Sequence, residues 1–417
     1  ILDEMVKDGQ VIQTKKKKYA LPESLGYIIG RIQGNARGFG FLIPDDPKQE
    51  DIYISAENMN GAMHNDRVIA RLLHRGTYGY PSNEGEVYKI LERANKTLVG
   101  TFESNGNGRH GFVVPDDPRI GKDVFIPVFD RSQVKTGYKV VVEINKWPEY
   151  RRNPQGRIIE VLGHKDEAGT DVLSIIRQYK LPEKFLPKVE AAAAQIEQTV
   201  SEQDKSGRKD LRHMQTFTID GADAKDFDDA VSLEIAEDGH FLLGVHIADV
   251  SHYVKEGTPL DEEALARGTS VYLVDRVITM LPPELSNGIC SLNPDVDRLT
   301  LSVIMEIDEE GRVLDYQIYE SVIRSKKRMI YEEVNRILED EDEDLMAEYA
   351  DFIADLKNME RLCRILHKRR MKRGSLDFDL NESKITLDAR GKVTDVRLYN
   401  RGIGERMIEE FMLICNE

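Results

Sequence analysis

The feature that most constrains this chain is that it repeats itself once. Gly40-Phe41-Leu42-Ile43-Pro44-Asp45-Asp46-Pro47 recurs as Gly111-Phe112-Val113-Val114-Pro115-Asp116-Asp117-Pro118, offset by 71 residues. A strand-like run follows each copy, Asp51-Ile-Tyr-Ile54 and then Asp123-Val-Phe-Ile126. Gly30-Arg31-Ile32 and Gly100-Thr101-Phe102 precede them in parallel. Each unit consists of short β-branched and aromatic runs broken by Gly, Pro and Asp, which is a pattern of strands and turns. A solenoid needs three or more stacked copies to bury its core. Two copies instead call for two small antiparallel barrels in tandem.

At 417 residues the chain exceeds one ordinary core, so two to four domains are expected. Net charge is −16 but unevenly spread: residues 1–163 hold 24 Lys+Arg against 21 Asp+Glu, and residues 164–417 hold 34 against 53. A nucleic-acid partner needs a local basic face rather than a basic total, so the overall charge excludes nothing. No run approaches the roughly 18 apolar residues of a membrane helix, and the N-terminus lacks a secretory pattern. Cys290, Cys363 and Cys415 lie far apart with no paired spacing, as expected of ordinary thiols in a reducing cytoplasm. The chain opens on Ile1 and stops at Glu417 inside a helical pattern, so a piece of a longer protein with an incomplete last domain is expected.

Residues 1–22 read as a short helix (1–7) and two strands (11–13 and 17–21) around the solvated turn Lys15–Lys18, the tail of a further domain. The barrels are expected over 23–92 and 93–163. From 164 the texture changes to helical periods at 186–200, 260–267, 331–338 and 345–372, interleaved with strands at 216–219, 230–235, 241–248, 299–307 and 393–399. Short turns such as Glu237-Asp238-Gly239 make that domain α+β with largely antiparallel pairing. The acidic stretch 339–344 reads as a solvated connection.

In the first barrel, Arg37-Gly38-Phe39-Gly40-Phe41 alternates aromatics with glycine, and Tyr53 lies on the neighbouring strand. Alternation puts Phe39 and Phe41 on one face, with glycine expected to clear room for a base on each ring. Stacking is worth roughly 1–3 kcal/mol per base and tolerates any sequence. Arg31, Arg37, Arg67 and Arg71 are candidates to follow a phosphate backbone. The second barrel offers Arg109, Phe112 and Phe125, with His110 where the first has Phe39. Phenylalanines at strand spacing also serve as core, so the pattern alone leaves both uses open.

The chemistry concentrates in Thr218-Ile-Asp220-Gly-Ala-Asp223-Ala-Lys-Asp226-Phe-Asp228-Asp229-Ala230, five carboxylates within ten residues. Like charges a few ångströms apart raise one another's pKa or force a loop open unless a cation sits among them. An EF-hand is excluded by spacing, since positions 6 and 12 counted from Asp220 are Lys225 and Val231. A solvated acidic turn sits poorly with the interleaved Ile219, Phe227, Ala230 and Val231, which imply packing against a core. The remaining reading is a site for one or two divalent ions of the hard, oxygen-seeking kind, Mg2+ or its substitute Mn2+. Such ions generate hydroxide from water and stabilise the entering and leaving oxygens at phosphorus.

These motifs resemble a known family. Arg37-Gly-Phe-Gly-Phe41 with Asp51-Ile-Tyr-Ile54 is similar to the RNA-binding motifs of cold-shock domains, five-stranded barrels of the oligonucleotide-binding (OB) class. Thr218-Ile-Asp220 followed by Asp226-x-Asp228-Asp229 resembles the hallmark of the RNase II/RNase R (RNB) family of 3′→5′ exoribonucleases. The likeness continues through His246-Ile-Ala-Asp-Val-Ser-His-Tyr253, Arg267-Gly-Thr-Ser-Val-Tyr272 and Leu285-Ser-Asn-Gly-Ile-Cys-Ser-Leu-Asn-Pro294. The order of a winged-helix tail, two barrels and then the catalytic region is most similar to the bacterial RNase R branch. The resemblance implies a multidomain fold with two tandem OB barrels ahead of an α+β RNB-type domain. It implies Mg2+-dependent hydrolysis of single-stranded RNA from the 3′ end to nucleoside 5′-monophosphates, in RNA turnover and quality control. Structured or ribosome-bound RNA would be further substrates, and a monomer is expected. It carries the four family acids onto Asp220, Asp226, Asp228 and Asp229, and the base-stacking tyrosine onto Tyr272. His246, Asp249 and His252 are expected to serve structural hydrogen bonds. Ile408-Glu409-Glu410-Phe411 matches a helix that supports the pocket, with either glutamate facing in. Other expectations compatible with the residues are a non-catalytic RNA-binding factor and an endonuclease or polymerase.

Overall fold

The computed structural model describes every residue except 15–16, 74–82, 106–109, 130–132, 150–151 and 377–381. Lys15, Lys16 and Arg109 therefore lie outside the described residues. The chain divides into two compact units, residues 1–181 and residues 182–388 with 393–417.

The first unit holds both repeats as closed barrels. Strands β1 (Tyr27–Gly34), β2 (Gly40–Pro44), β3 (Ile52–Ile54), β4 (Arg67–Leu72) and β5 (Glu84–Glu92) close in the order β1-β2-β3-β5-β4. Strands β6 (Thr97–Ser104), β7 (Gly111–Pro115), β8 (Val124–Ile126), β9 (Tyr138–Lys146) and β10 (Gln155–His164) repeat that order as β6-β7-β8-β10-β9. The sequence repeat is thus a topological repeat, each barrel closing through one parallel pair, Tyr53 beside Glu84 and Phe125 beside Gln155. Alternation fills the interiors: Ile32, Leu42, Ile52 and Ile54 in the first, Phe102, Val113, Val124 and Ile126 in the second. The parallel glycines Gly30 and Gly100 have one cause, because a side chain there would strike the carbonyl oxygen of Ile43 or Val114 on the paired strand.

The two barrels are joined by a buried ion pair. The side chain of Asp66 is fully buried and accepts from the backbone amides of Met63 (3.0 Å) and Ala94 (2.9 Å) and from Arg93 Nη1 (2.8 Å). The Arg93 guanidinium lies 4.5 Å from the Trp147 ring centroid. Before the barrels stand a helix over Leu2–Lys7 and the antiparallel pair Ile12–Gln13 and Tyr19–Ala20. After them, helix α1 (Thr170–Gln178) packs on the second barrel, with Arg177 paired to Glu160 at 2.8 Å.

In the second unit β11 (Lys209–Asp210), β12 (Phe217–Asp220), β13 (Asp229–Ile235), β14 (Phe241–Ala248), β15 (Asp297–Ile307), β16 (Val313–Arg324) and β17 (Lys327–Ile330) form one sheet. Its order is β11-β16-β15-β14-β13-β12-β17. The pairs β11–β16 and β12–β17 are parallel and the other four antiparallel, as the short turns require. Helices α2 (Tyr331–Glu339), α3 (Ile353–Lys372) and α4 (Ile403–Asn416) cover one face, over a core of Phe217, Ile219, Val231, Phe241, Leu243, Leu356 and Phe411. Each fully buried aromatic there stabilises the fold by roughly 2–3 kcal/mol. A smaller core of Leu211, Met214, Phe227, Ala230, Ala248, Leu292 and Ile323 includes the alternate residues of the same strands.

Three expectations change. The period over 345–372 is two helices, Glu343–Glu348 and α3, separated at Tyr349, which turns into the core and bonds Glu333. The period over 186–200 is helical only over Pro187–Ala193, while Ile196 and Val200 reach the same small core from irregular backbone. The acidic stretch is anchored: Asp342 caps the helix that follows it, and Glu339 accepts from the Ile403 amide at 2.8 Å. No helix among the described residues is long and apolar enough to cross a membrane.

Candidate active site and nucleic-acid interface

Strand β12 ends on Asp220 and β13 begins on Asp229, so the loop 221–228 must carry the other acids. Ile219, Phe227, Ala230 and Val231 are all buried. The run is therefore packed against core on both sides, as its interleaved apolar residues require, and is not a free acidic turn. Asp220, Asp226 and Asp229 are half-buried, while Asp223 and Asp228 are exposed. The four family acids feel one another. Burial, then the charge of Asp229, pushes Asp220 up to about 7. Burial, then the charge of Asp228, pushes Asp229 up to about 6. Although part of Asp228 reaches solvent, desolvation of the rest and the charge of Asp226 raise it as well.

One oxygen of Asp220, Oδ2, is buried with no hydrogen-bond partner. An orphaned buried carboxylate oxygen among mutually repelling acids fits a hard divalent cation, so Asp220, Asp226, Asp228 and Asp229 suit Mg2+ or Mn2+. The run does not, however, bring three of its oxygens to within coordination range of one another. Among the described residues the trio of ligand atoms within 4.8 Å is Asp238, His240 and Glu306. That trio is a partly exposed ion pair, with His240 Nδ1 at 2.7 Å from Glu306 and 3.1 Å from Asp238, and lies outside the aspartate run.

Tyr272 joins the acids. Its hydroxyl donates to Asp226 Oδ2 at 2.7 Å, and that bond, then burial, pushes the phenol up to about 12. The ring is 65% exposed, which leaves a face free for stacking. His246 stands apart from Asp249 and His252, which meet around Arg208. His246 is fully buried, with Nδ1 2.7 Å from Ser302 Oγ and Nε2 3.0 Å from Ser232 Oγ. Asp249 pairs with Arg208 at 2.6 Å, and His252 with Asp204 at 3.2 Å. Of the neighbours Glu409 and Glu410 on α4, Glu410 faces inward, onto Arg370 (2.7 Å) and His367 (2.9 Å). Burial, and then the charges of Asp220, Asp229 and Glu405 of that helix, raise the half-buried Tyr331 hydroxyl.

Sequence reasoning missed two side chains that touch the run, Arg328 and Ser291. Arg328 donates to the carbonyls of Gly221 and Ala222, and the Ser291 hydroxyl bonds the backbone on both sides of Asp226. Both contacts are to backbone and span 64 residues or more; the Leu285–Pro294 motif contains Ser291 without revealing its partners, and nothing local marks Arg328.

On the first barrel Phe39, Phe41 and Tyr53 form one ring cluster with centroids 5.6–6.0 Å apart. Phe41 and Tyr53 are each 38% exposed on facing positions of β2 and β3. His110, Phe112 and Phe125 reproduce the triangle on the second barrel at 5.5–6.3 Å. The expected role of Gly40 is corrected: it is buried, and a side chain there would point into the barrel toward Ile32 and Met59. The permissive glycine is Gly38, whose φ of +88° makes the turn. Arg31, Arg67 and Arg71 pair with Glu92, Asp45 and Glu86 at 3.6, 2.7 and 2.7 Å, which engages three of the four candidate phosphate contacts. Arg37 is exposed and shows no ion pair among the described residues.

The RNB domain model matches residues 208–417, just over half of the chain. The chain belongs to the RNB family. The Ribonuclease B OB domain matches residues 30–90 and the cold shock domain residues 112–185. Ribonuclease R of Thermotoga maritima is 46% identical over the whole of this chain, which spans 58% of that relative's length. The structure of Mycoplasma genitalium RNase R with ribose-methylated single-stranded RNA superposes with a TM-score of 0.82 at 27% identity, covering 94% of this chain and 61% of that one. Yeast Ssd1, a pseudonuclease, shares the fold with a TM-score of 0.65 at 18% identity, covering 94% and 54%.

Proposed function

We propose that this RNB protein hydrolyses single-stranded RNA from its 3′ end to nucleoside 5′-monophosphates. The observation that carries the reading is the complete set Asp220, Asp226, Asp228 and Asp229 in one half-buried run, with Asp220 holding an unsatisfied oxygen. Those four residues would hold Mg2+, one ion or two, with Mn2+ as a substitute, and the bound metal supplies positive charge at the scissile phosphate. Tyr272 presents an exposed ring to the last base while its hydroxyl steadies Asp226. The barrels at 23–92 and 93–163 gather the strand on Phe39, Phe41 and Tyr53 and on Phe112 and Phe125, with Arg37 on the backbone. Residues 1–22 are the tail of a winged-helix-like domain, and the chemistry lies beyond residue 164. The free thiols at Cys290, Cys363 and Cys415 suit a reducing cytoplasm.

The test is digestion of labelled poly(A) by the full-length protein with and without EDTA. The reading expects 5′-AMP release that stops with EDTA and returns with excess Mg2+. Binding without release would instead favour a non-catalytic factor. Cleavage of circular RNA would point to an endonuclease.

A further inference from the structure

The aspartate run is gripped at both ends by side chains remote in sequence. At its start, Arg328 of β17 donates from Nη2 to the carbonyl oxygens of Gly221 (3.1 Å) and Ala222 (2.6 Å). Its guanidinium sits 5.3 Å from the Phe227 ring centroid. At its end, the fully buried Ser291 hydroxyl accepts from the Phe227 amide (3.0 Å) and donates to the Lys225 carbonyl (3.0 Å), straddling Asp226. The next residue, Leu292, donates its amide to the Phe227 carbonyl at 2.9 Å. Ser291 is fixed in turn, because Nε of the buried Arg298 donates to its carbonyl at 2.8 Å.

Five carboxylates in one short run repel, and repulsion favours conformers that spread them apart. Hydrogen bonds to the backbone oppose that spreading without occupying a carboxylate oxygen, so the braces themselves take no oxygen from a ligand; Asp226 Oδ2 is engaged by Tyr272 instead. Residues that orient metal ligands from behind in this way commonly set affinity as strongly as the ligands' own geometry. We infer that Arg328 and Ser291 are positioning residues that brace the aspartate run in the shape that takes up a divalent cation. Neither touches cation or RNA. Arg328 makes both bonds from the one nitrogen Nη2, so a lysine ammonium, which lacks the planar stack on Phe227, would recover only part of the contact. The inference rests on the reading of the aspartates as metal ligands.

The experiment measures Mn2+ binding to the full-length protein by electron paramagnetic resonance, for the wild type, Ser291→Ala, Arg328→Met and Arg328→Lys. RNA affinity in EDTA and the metal-free urea midpoint are measured alongside. Mn2+ affinity should fall roughly 10- to 100-fold in Ser291→Ala and Arg328→Met, with Arg328→Lys between them and the wild type. RNA affinity in EDTA should not change, a separation that general loss of stability would not produce. Mn2+ affinity within about twofold of wild type in either folded variant would overturn the brace, measured against that 10- to 100-fold expectation. If Ser291→Ala fails to fold, the half-exposed Arg328→Met decides alone. No Mn2+ uptake by the wild type would instead sink the metal-ligand reading itself, so the two failures are distinguishable.

Discussion

Tyr272 performs two separable jobs in this account, and two substitutions pull them apart. Its ring is 65% exposed while its hydroxyl lies 2.7 Å from Asp226 Oδ2. Stacking of a terminal base on such a ring is worth roughly 1–3 kcal/mol, which at about 1.4 kcal/mol per factor of ten is roughly 5- to 150-fold in affinity. The hydroxyl bond to a carboxylate is charge-assisted, but water screens so open a group, and its contribution falls below about 1 kcal/mol. Tyr272→Ala should therefore raise KM for short oligoadenylates by roughly 5- to 150-fold and lengthen the shortest product. Tyr272→Phe should keep KM near wild type and change the Mg2+ requirement slightly. The assay is digestion of 5′-labelled oligoadenylate by the full-length protein, resolved by length on a denaturing gel. An unchanged KM and product ladder in Tyr272→Ala would refute the stacking role. A loss in Tyr272→Phe as large as in Tyr272→Ala would show that the hydroxyl, not the ring, carries the effect.

Three further outcomes follow from the same geometry. Asp228→Asn in the full-length protein should abolish mononucleotide release and leave RNA binding intact; comparable turnover would remove Asp228 from the site. Phe41→Ala and Tyr53→Ala should each weaken single-stranded RNA binding by roughly 1–3 kcal/mol while the barrel stays folded, because both rings lie outside its core; unchanged affinity would make them surface decoration. Burial holds the His246 imidazole neutral and pushes its pKa from the ordinary 6.5 down to about 4. The unfolded chain takes up a proton that the folded one refuses, so stability is full above about pH 6.5 and falls as pH drops toward 4. The total loss is about 3 kcal/mol. Urea melts across that range should show a steeper decline in wild type than in His246→Asn, and identical slopes would contradict it.

Much of this was legible in the sequence because it is local. Alternation along Gly40–Ile43 dictates a strand with Leu42 inside and Phe41 outside, and the repeat at 111–118 forces the same barrel twice. The interleaving of Phe227 and Ala230 with the aspartates announces a packed loop, and the structure buries both. What was not legible is mostly long-range or orientational. Strand β16 has seven exposed positions and so lacks the apolar alternation that marks a strand. The break at Tyr349 depends on its contact with Glu333, which no helical period encodes. The braces at Ser291 and Arg328 act through backbone atoms, to which sequence identity is nearly silent. Gly40 shows the opposite failure: its place between two aromatics was plain, but alternation sends it inward, away from any base.

The most direct measurement of the central claim is calorimetric titration of Mg2+ into the full-length protein with RNA bound, for the wild type and for Asp226→Asn/Asp228→Asn. The account expects saturable uptake by the wild type that the double substitution abolishes. Absence of uptake by the wild type, or uptake that survives in the substituted protein, would contradict it.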